Sequence, residues 1–133
     1  MVKKVSLVLL ISLLLMGCRG EEQAEESVAE RLARGLTEGK RGRTLQDMRA
    51  ITTALQSYMV DHDIYPVCSS IEELSKFLTP HYITRVPRLD AWGGEFIYRS
   101  DGRSYQLLSL GPDRQEGTPD DLLLKDIHLK PSP

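Results

Sequence analysis

The sequence predicts an α+β domain, a long helix packed on a small antiparallel sheet of about three strands. Three observations carry that prediction. Apolar residues recur at helical spacing from Thr44 to about Asp61. After Pro87 the periodicity switches to short β-type runs. Asp101-Gly102, a hairpin-type turn, joins the first two of those runs.

The first element lies ahead of the domain. Lys3 and Lys4 give a positive start, an apolar run follows from Val5 to Met16, broken only by Ser6 and Ser12, and Gly17-Cys18 closes it. A run of about a dozen residues is too short to span a bilayer, which takes about 20. The arrangement is that of a secretory signal. Leu15-Met16-Gly17-Cys18 resembles the bacterial lipobox, with Met16 a less usual residue in it. In that motif the cysteine thiol receives a diacylglyceryl group, and the small residue before it lets the peptidase reach the bond. Residues 1–17 are therefore expected to be a lipoprotein signal peptide, and Cys18 the acylated (palmitate-class) N-terminus that holds the protein on a membrane. Gly17 and Glu22 also match the cleavage spacing of pilin-type proteins, but there the apolar helix follows the cut and builds the filament. Here it precedes the cut, and Arg19 to Glu30 is strongly polar.

Cleavage leaves about 116 residues, one domain's worth. Loss of Lys3 and Lys4 moves the formal net charge from −2 to about −4. That balance, without a basic stripe carrying aromatics, excludes nucleic acid as a partner. Lys40, Arg41 and Arg43 read as a solvated hinge. With Cys18 acylated only Cys68 remains, so no intramolecular disulfide forms and Cys68 is expected as a half-buried free thiol.

Residues 18–43 read as the lipidated N-terminus, a Glu-rich spacer and a weak helix. From Ser27 apolar residues recur at Val28, Leu32 and Leu36, but Gly35, Gly39 and Gly42 predict a frayed or kinked join. The globular domain is expected over 44–133. Thr44 is placed to cap its helix with Asp47 reaching back, and Leu45, Met48, Ile51, Thr52, Leu55, Tyr58 and Met59 form one face. Tyr65-Pro66 forces that helix to end earlier. A short helix follows from Ser70 to Leu78, opened by a Ser70/Glu73 capping box and stopped by Pro80. Strands are expected over Glu95–Tyr98, Tyr105–Leu110 and Leu122–His128.

The most informative stretch is Ser109 to Asp121. Asp113, Glu116, Asp120 and Asp121 place four carboxylates within nine residues. Crowded in one loop they repel, and a hard cation relieves that; calcium takes about six to eight oxygens. Gly111 and Gly117 let the backbone turn carbonyls inward. The spacing is not that of an EF-hand, since the fifth position from Asp113 is Gly117 and the twelfth is Leu124. On spacing alone, a solvated acidic hairpin loop stands as the alternative to a calcium loop.

Several motifs occur in a telling order: Tyr65-Pro66; Asp90-Ala91-Trp92-Gly93-Gly94 running into Glu95-Phe96-Ile97-Tyr98; Ser109-Leu110-Gly111-Pro112-Asp113; and Gly117-Thr118-Pro119-Asp120-Asp121. The series resembles the C-terminal domain of type II secretion system protein G, the major pseudopilin family, over Thr44 to Ile127. The resemblance implies a long helix on a small antiparallel sheet and a structural calcium ion in the loop. Its ligands would be the side chains of Asp113, Asp120 and Asp121 and the carbonyl of Leu110, with Thr118 a weaker backbone candidate. Trp92 would pack at the helix–sheet junction, with Ala91 where the family has proline and Gly94 where asparagine is frequent; Pro66 would be structural. The departure is at the N-terminus, where a lipoprotein signal stands in place of the prepilin leader and retained membrane helix. That removes the family's route to a filament.

No catalytic reading survives. His62, His81 and His128 lie in separate segments without a metal-ligand partner at helical spacing, and neither a nucleophile elbow nor a phosphate loop is present. The expectation is a non-enzymatic lipoprotein that contacts protein partners of an envelope secretion or pilus-like assembly, or a free-standing lipoprotein that binds another protein or envelope ligand. Arg19 follows Cys18 where an inner-membrane retention signal would have Asp. That favours the outer membrane, facing the periplasm, over the inner membrane.

Overall fold

The computed structural model describes residues 27–127. The expected signal over 1–17, Cys18, the expected spacer as far as residue 26, and residues 128–133 lie outside the described residues. Contacts divide the chain into two units, Met1–Arg31 and Leu32–Pro133.

The described part of the first unit opens helix α1 (Val28–His62, 35 residues). Ser27 and Glu30 form a reciprocal capping box. The Ser27 N–H donates to Glu30 Oε2 at 2.8 Å, and the Glu30 N–H donates to Ser27 Oγ at 3.2 Å.

In the second unit α1 runs on through Gly35, Gly39 and Gly42, correcting the expected start at Thr44: the weak helix expected from Ser27 and the helix after it are one element. Each glycine costs up to about 1 kcal/mol relative to alanine, yet a break would require a second, costly helix nucleus. Extension from the Ser27 cap through neighbouring Ala, Leu, Arg, Glu and Lys residues is the cheaper course. Thr44 does mark a boundary, though of burial rather than of helix. Every residue from Leu32 to Arg43 is exposed, Leu32 at 64% and Leu36 at 62%, whereas Thr44, Met48, Ile51 and Leu55 are each 0% exposed. Burying each of those large apolar side chains contributes about 1.5–3 kcal/mol. The helix ends where Asp63 turns left-handed (φ 60°), its N–H donating to the Met59 carbonyl at 2.8 Å.

Helix α2 (Ile71–Leu78) starts as predicted, with Ser70 Oγ accepting from the Glu73 N–H at 3.1 Å. The return arm of the box shifts by one residue, Glu73 accepting from the Ser69 N–H at 3.1 Å. Ile71, Leu74 and Leu78 are buried.

Strands β1 (Ile97–Ser100), β2 (Ser104–Ser109) and β3 (Leu122–Ile127) form an antiparallel sheet in the order β1-β2-β3. The predicted fold class is therefore the observed one. The first strand begins two residues later than expected. Glu95 instead bridges to Leu89, and the Phe96 N–H donates to the Arg88 carbonyl at 2.9 Å. Asp101-Gly102 makes the β1–β2 turn: Gly102 has φ 86° and Asp101 Oδ1 accepts from the Ser104 N–H at 2.7 Å. Phe96, Tyr98, Tyr105, Leu107 and Leu122 close the core against Met48, Ile51, Ala54 and Leu55 of α1.

Tyr65 and Pro66 are both buried. The Pro66 carbonyl accepts from the Tyr98 hydroxyl at 2.8 Å, the Tyr65 N–H donates to the Gly102 carbonyl at 2.9 Å, and the Tyr65 hydroxyl donates to Asp126 Oδ2 at 3.1 Å. Burial raises the hydroxyl pKa of Tyr65 and Tyr98 well above the ordinary tyrosine range, and that of Tyr105 to about 12. Cys68 is a half-buried free thiol whose pKa is also raised by burial.

Candidate functional site

The acidic stretch forms the connection from β2 to β3, running from Leu110 to Asp121. Its entry is a position only glycine fits. Gly111 has φ 64°, and a Cβ there would lie 2.7 Å from the Asp120 carbonyl oxygen and 2.8 Å from Asp120 Oδ2.

The loop's carboxylates have separate surroundings. Asp113 Oδ1 accepts from the Gln115 N–H at 2.9 Å, and the Asp113 N–H donates to Asp120 Oδ2 at 3.3 Å. Asp120 Oδ1 accepts from the Thr118 hydroxyl at 2.6 Å, and that bond leads the effects holding its carboxyl below the usual aspartate range. Asp121 Oδ2 accepts from the Gly117 N–H at 2.7 Å. Asp121 Oδ1 is different: it is buried and has no hydrogen-bond partner. Glu116 has left the cluster altogether. Arg99 on β1 grips it through two bonds of 2.7 and 2.9 Å, which lowers the glutamate pKa and raises that of the arginine. Leu110 is half-buried at the loop's start.

Among the described residues no group of three or more His, Cys, Asp or Glu side chains stands ready to hold a metal ion. The donor chemistry nevertheless suits a hard, oxygen-seeking cation, and the orphaned Asp121 Oδ1 is the atom that such a cation would satisfy.

Behind the loop lies an arrangement that sequence reasoning missed. Asp90 is buried, and its Oδ1 accepts from the N–H groups of Trp92 (2.9 Å) and Gly94 (2.8 Å). Its Oδ2 accepts from the hydroxyl of fully buried Ser109 at 2.6 Å. The same Ser109 oxygen accepts from the Gly111 N–H at 3.3 Å, so one serine ties the loop's entry to the turn. Thr44, read from sequence as a helix cap, instead accepts the Ala91 N–H at 3.1 Å and fastens the turn to α1. Arg114 (φ 56°) adds a bond of 3.2 Å to the Trp92 carbonyl. Trp92 is half-buried and packs against the core. An aspartate two and four residues ahead of the amides it binds is a legible turn signal; its link to Ser109, 19 residues away, is not.

The two described histidines from the sequence reading take no part in the loop. His62 is exposed with its ring 4.1 Å from that of Tyr58, and the Tyr82 hydroxyl, 3.2 Å from His62 Nε2, donates to Asp61 Oδ2 at 2.9 Å. His81 is exposed.

Comparison with known proteins gives a consistent result. Residues 31–127 match the family described as type II secretion system (T2SS), protein G. The type II secretion system core protein G of Escherichia coli (strain K12) is 31% identical over 93 residues, covering 60% of this chain and 63% of that protein. The chain thus spans less than two thirds of that relative. The crystal structure of the major pseudopilin from the type 2 secretion system of enterohaemorrhagic Escherichia coli superposes with a TM-score of 0.54 at 26% identity, over 69% of this chain and 91% of that one.

Proposed function

The chain belongs to the type II secretion system protein G family, and from that membership we propose that it is a non-catalytic, lipid-anchored structural or accessory component of an envelope secretion or pilus-like assembly. The observation that carries this reading is the match over residues 31–127, which takes in most of α1, the whole sheet and the acidic loop. Cys18 supplies the anchor: its acyl chains take the place of a membrane helix, and among the described residues no helix is long and apolar enough to cross a membrane. The protein acts by contact with other proteins of the assembly, from the outer membrane on its periplasmic side. Asp113, Asp120, Asp121 and the Leu110 carbonyl hold calcium, which neutralises the carboxylates and stiffens the β2–β3 connection.

Affinity capture of the acylated full-length protein from solubilised envelopes tests the reading. Recovery of other secretion-assembly proteins supports it; recovery of unrelated envelope proteins alone overturns it. Cys18→Ser should release the protein from the membrane fraction, and an unchanged membrane fraction refutes the anchor.

A further inference from the structure

Lys40, Arg41 and Arg43 read from sequence as a solvated hinge, but they stand on an unbroken stretch of α1. From Leu32 to Arg43 that stretch carries four cations (Arg34, Lys40, Arg41 and Arg43) against one carboxylate, Glu38. Its net charge is +3, in a chain whose formal total is −2. We propose that this part of α1 lies on an anionic phospholipid surface, with Leu32 and Leu36 entering the headgroup boundary and Lys40 and Arg43 meeting the lipid phosphates. The proposal rests on the Cys18 anchor, which keeps the segment beside a bilayer.

The helix presents one face to that surface. Leu32, Gly35, Leu36, Gly39 and Arg43 fall at i, i+3, i+4, i+7 and i+11, and all five are exposed. A Cβ at Gly35 or Gly39 would meet nothing within 4 Å, so no described residue covers the face. At about 100° per residue it points about 130° away from the buried Thr44, Met48, Ile51 and Leu55. The helix can therefore lie flat with the sheet on its far side. Lys40 flanks the face, Glu38 is turned about 120° from it, and Arg41 points to the opposite side. Lys40 and Arg43 have no hydrogen-bond or ion-pair partner among the described residues.

Charge and tether together select a lipid surface. Leucines flanked by long cationic side chains bind an anionic interface through buried apolar area and charge attraction. Two leucines are a small apolar contribution, and an untethered helix of this kind would hold weakly. Leu32 follows Cys18 by 14 residues, a span of at most about 50 Å even fully extended. The lipids that hold Cys18 are thus always within reach, and the contact becomes an intramolecular one at high effective concentration. A freely diffusing acidic protein has no such advantage.

The test uses the full acylated chain carrying Gly39→Cys and Cys68→Ser, labelled at position 39 with nitrobenzoxadiazole. It is reconstituted in vesicles of phosphatidylcholine alone or mixed equally with phosphatidylglycerol. Emission and acrylamide quenching read how much of the helix is on the surface. The on-to-off ratio should be about tenfold higher in the anionic vesicles, as two interfacial cations supply. Lys40→Gln with Arg43→Gln should abolish that difference, Leu32→Gln with Leu36→Gln should reduce it, and added salt should weaken it. Arg41→Gln should change it little. Equal ratios in the two lipids overturn the proposal, as does an Arg41→Gln effect as large as that of the pair. Shielding that appears in detergent and rises with protein concentration is self-association, and also overturns it. Flotation with the neutral vesicles reads the anchor separately. A chain that floats there but gives equal ratios keeps the anchor and loses the helix contact. One that floats only with anionic vesicles, through Lys40 and Arg43, loses the anchor and supports the helix contact.

Discussion

Replacing Asp121 by alanine should destabilise the domain in calcium and change its metal-free stability little. In metal-free protein the carboxylate makes one useful bond, from the Gly117 N–H at 2.7 Å, while its other oxygen is buried and unsatisfied. Loss of that bond to a charged group costs about 1.5–3 kcal/mol, and removal of an orphaned buried oxygen returns about 1–3 kcal/mol. The metal-free variant should therefore melt close to the wild-type temperature. With calcium the balance shifts. A ligand at about 100 times its Kd stabilises the native state by about 2.7 kcal/mol. For a domain of this size that corresponds to roughly 10–20 °C in Tm. Wild type should gain that increment and Asp121→Ala should not. Circular dichroism melts of the full chain in detergent, in millimolar calcium and in chelator, read both arms. Equal wild-type Tm in the two conditions refutes the metal. A variant that is equally destabilised in both refutes the reasoning about the orphaned oxygen.

Ser109→Ala should cost about 1.5–3 kcal/mol in urea unfolding, because the charged Asp90 loses a 2.6 Å bond in a buried site; a loss below about 0.5 kcal/mol would show that Asp90 is held by the turn amides alone. Gly42→Ala should stabilise by about 0.5–1 kcal/mol, since a Cβ there meets nothing within 4 Å; a drop in Tm would mean the glycine serves a contact outside the domain. Alkaline pH should unfold the protein as it rises from about 10 past 12. The buried tyrosines have folded pKa values above the ordinary 10.0, Tyr105 at about 12, so their contribution is full below 10 and is lost as they ionise. Tyrosinate absorbance should rise together with loss of helix; separate transitions would count against the linkage.

Local signals carried much of this fold to the surface of the sequence. Ser70 and Glu73 announced α2 because a cap is a contact between near neighbours. The stripe from Met48 to Leu55 announced the buried face of α1 because periodicity is a property of one element. What escaped were competitions between near and far partners. Thr44 looked like a cap until the Ala91 N–H, 47 residues on, claimed its hydroxyl. Glu116 counted as one of four crowded carboxylates until Arg99, 17 residues back, neutralised it from the neighbouring strand. The glycines of α1 read as a frayed or kinked join because propensity is scored residue by residue, while helix propagation is cooperative. In the acidic loop the sequence identified the residues but not their division of labour, which depends on which oxygen each amide reaches.

The exposed run of α1 from Leu32 to Arg43 has an energetic consequence of its own. Its backbone bonds are intact, but none of its side chains is buried, so it can fray without disturbing the core. Amide hydrogens there should exchange through local opening, while those from Met48 to Leu55 exchange only with global unfolding. Limited proteolysis should accordingly cut ahead of Thr44 and leave the rest of the domain whole. The thermodynamic edge of the fold thus lies well inside its longest helix. Whatever packs along Leu32 and Leu36 would move that edge outward, and the gain in exchange protection would measure the contact.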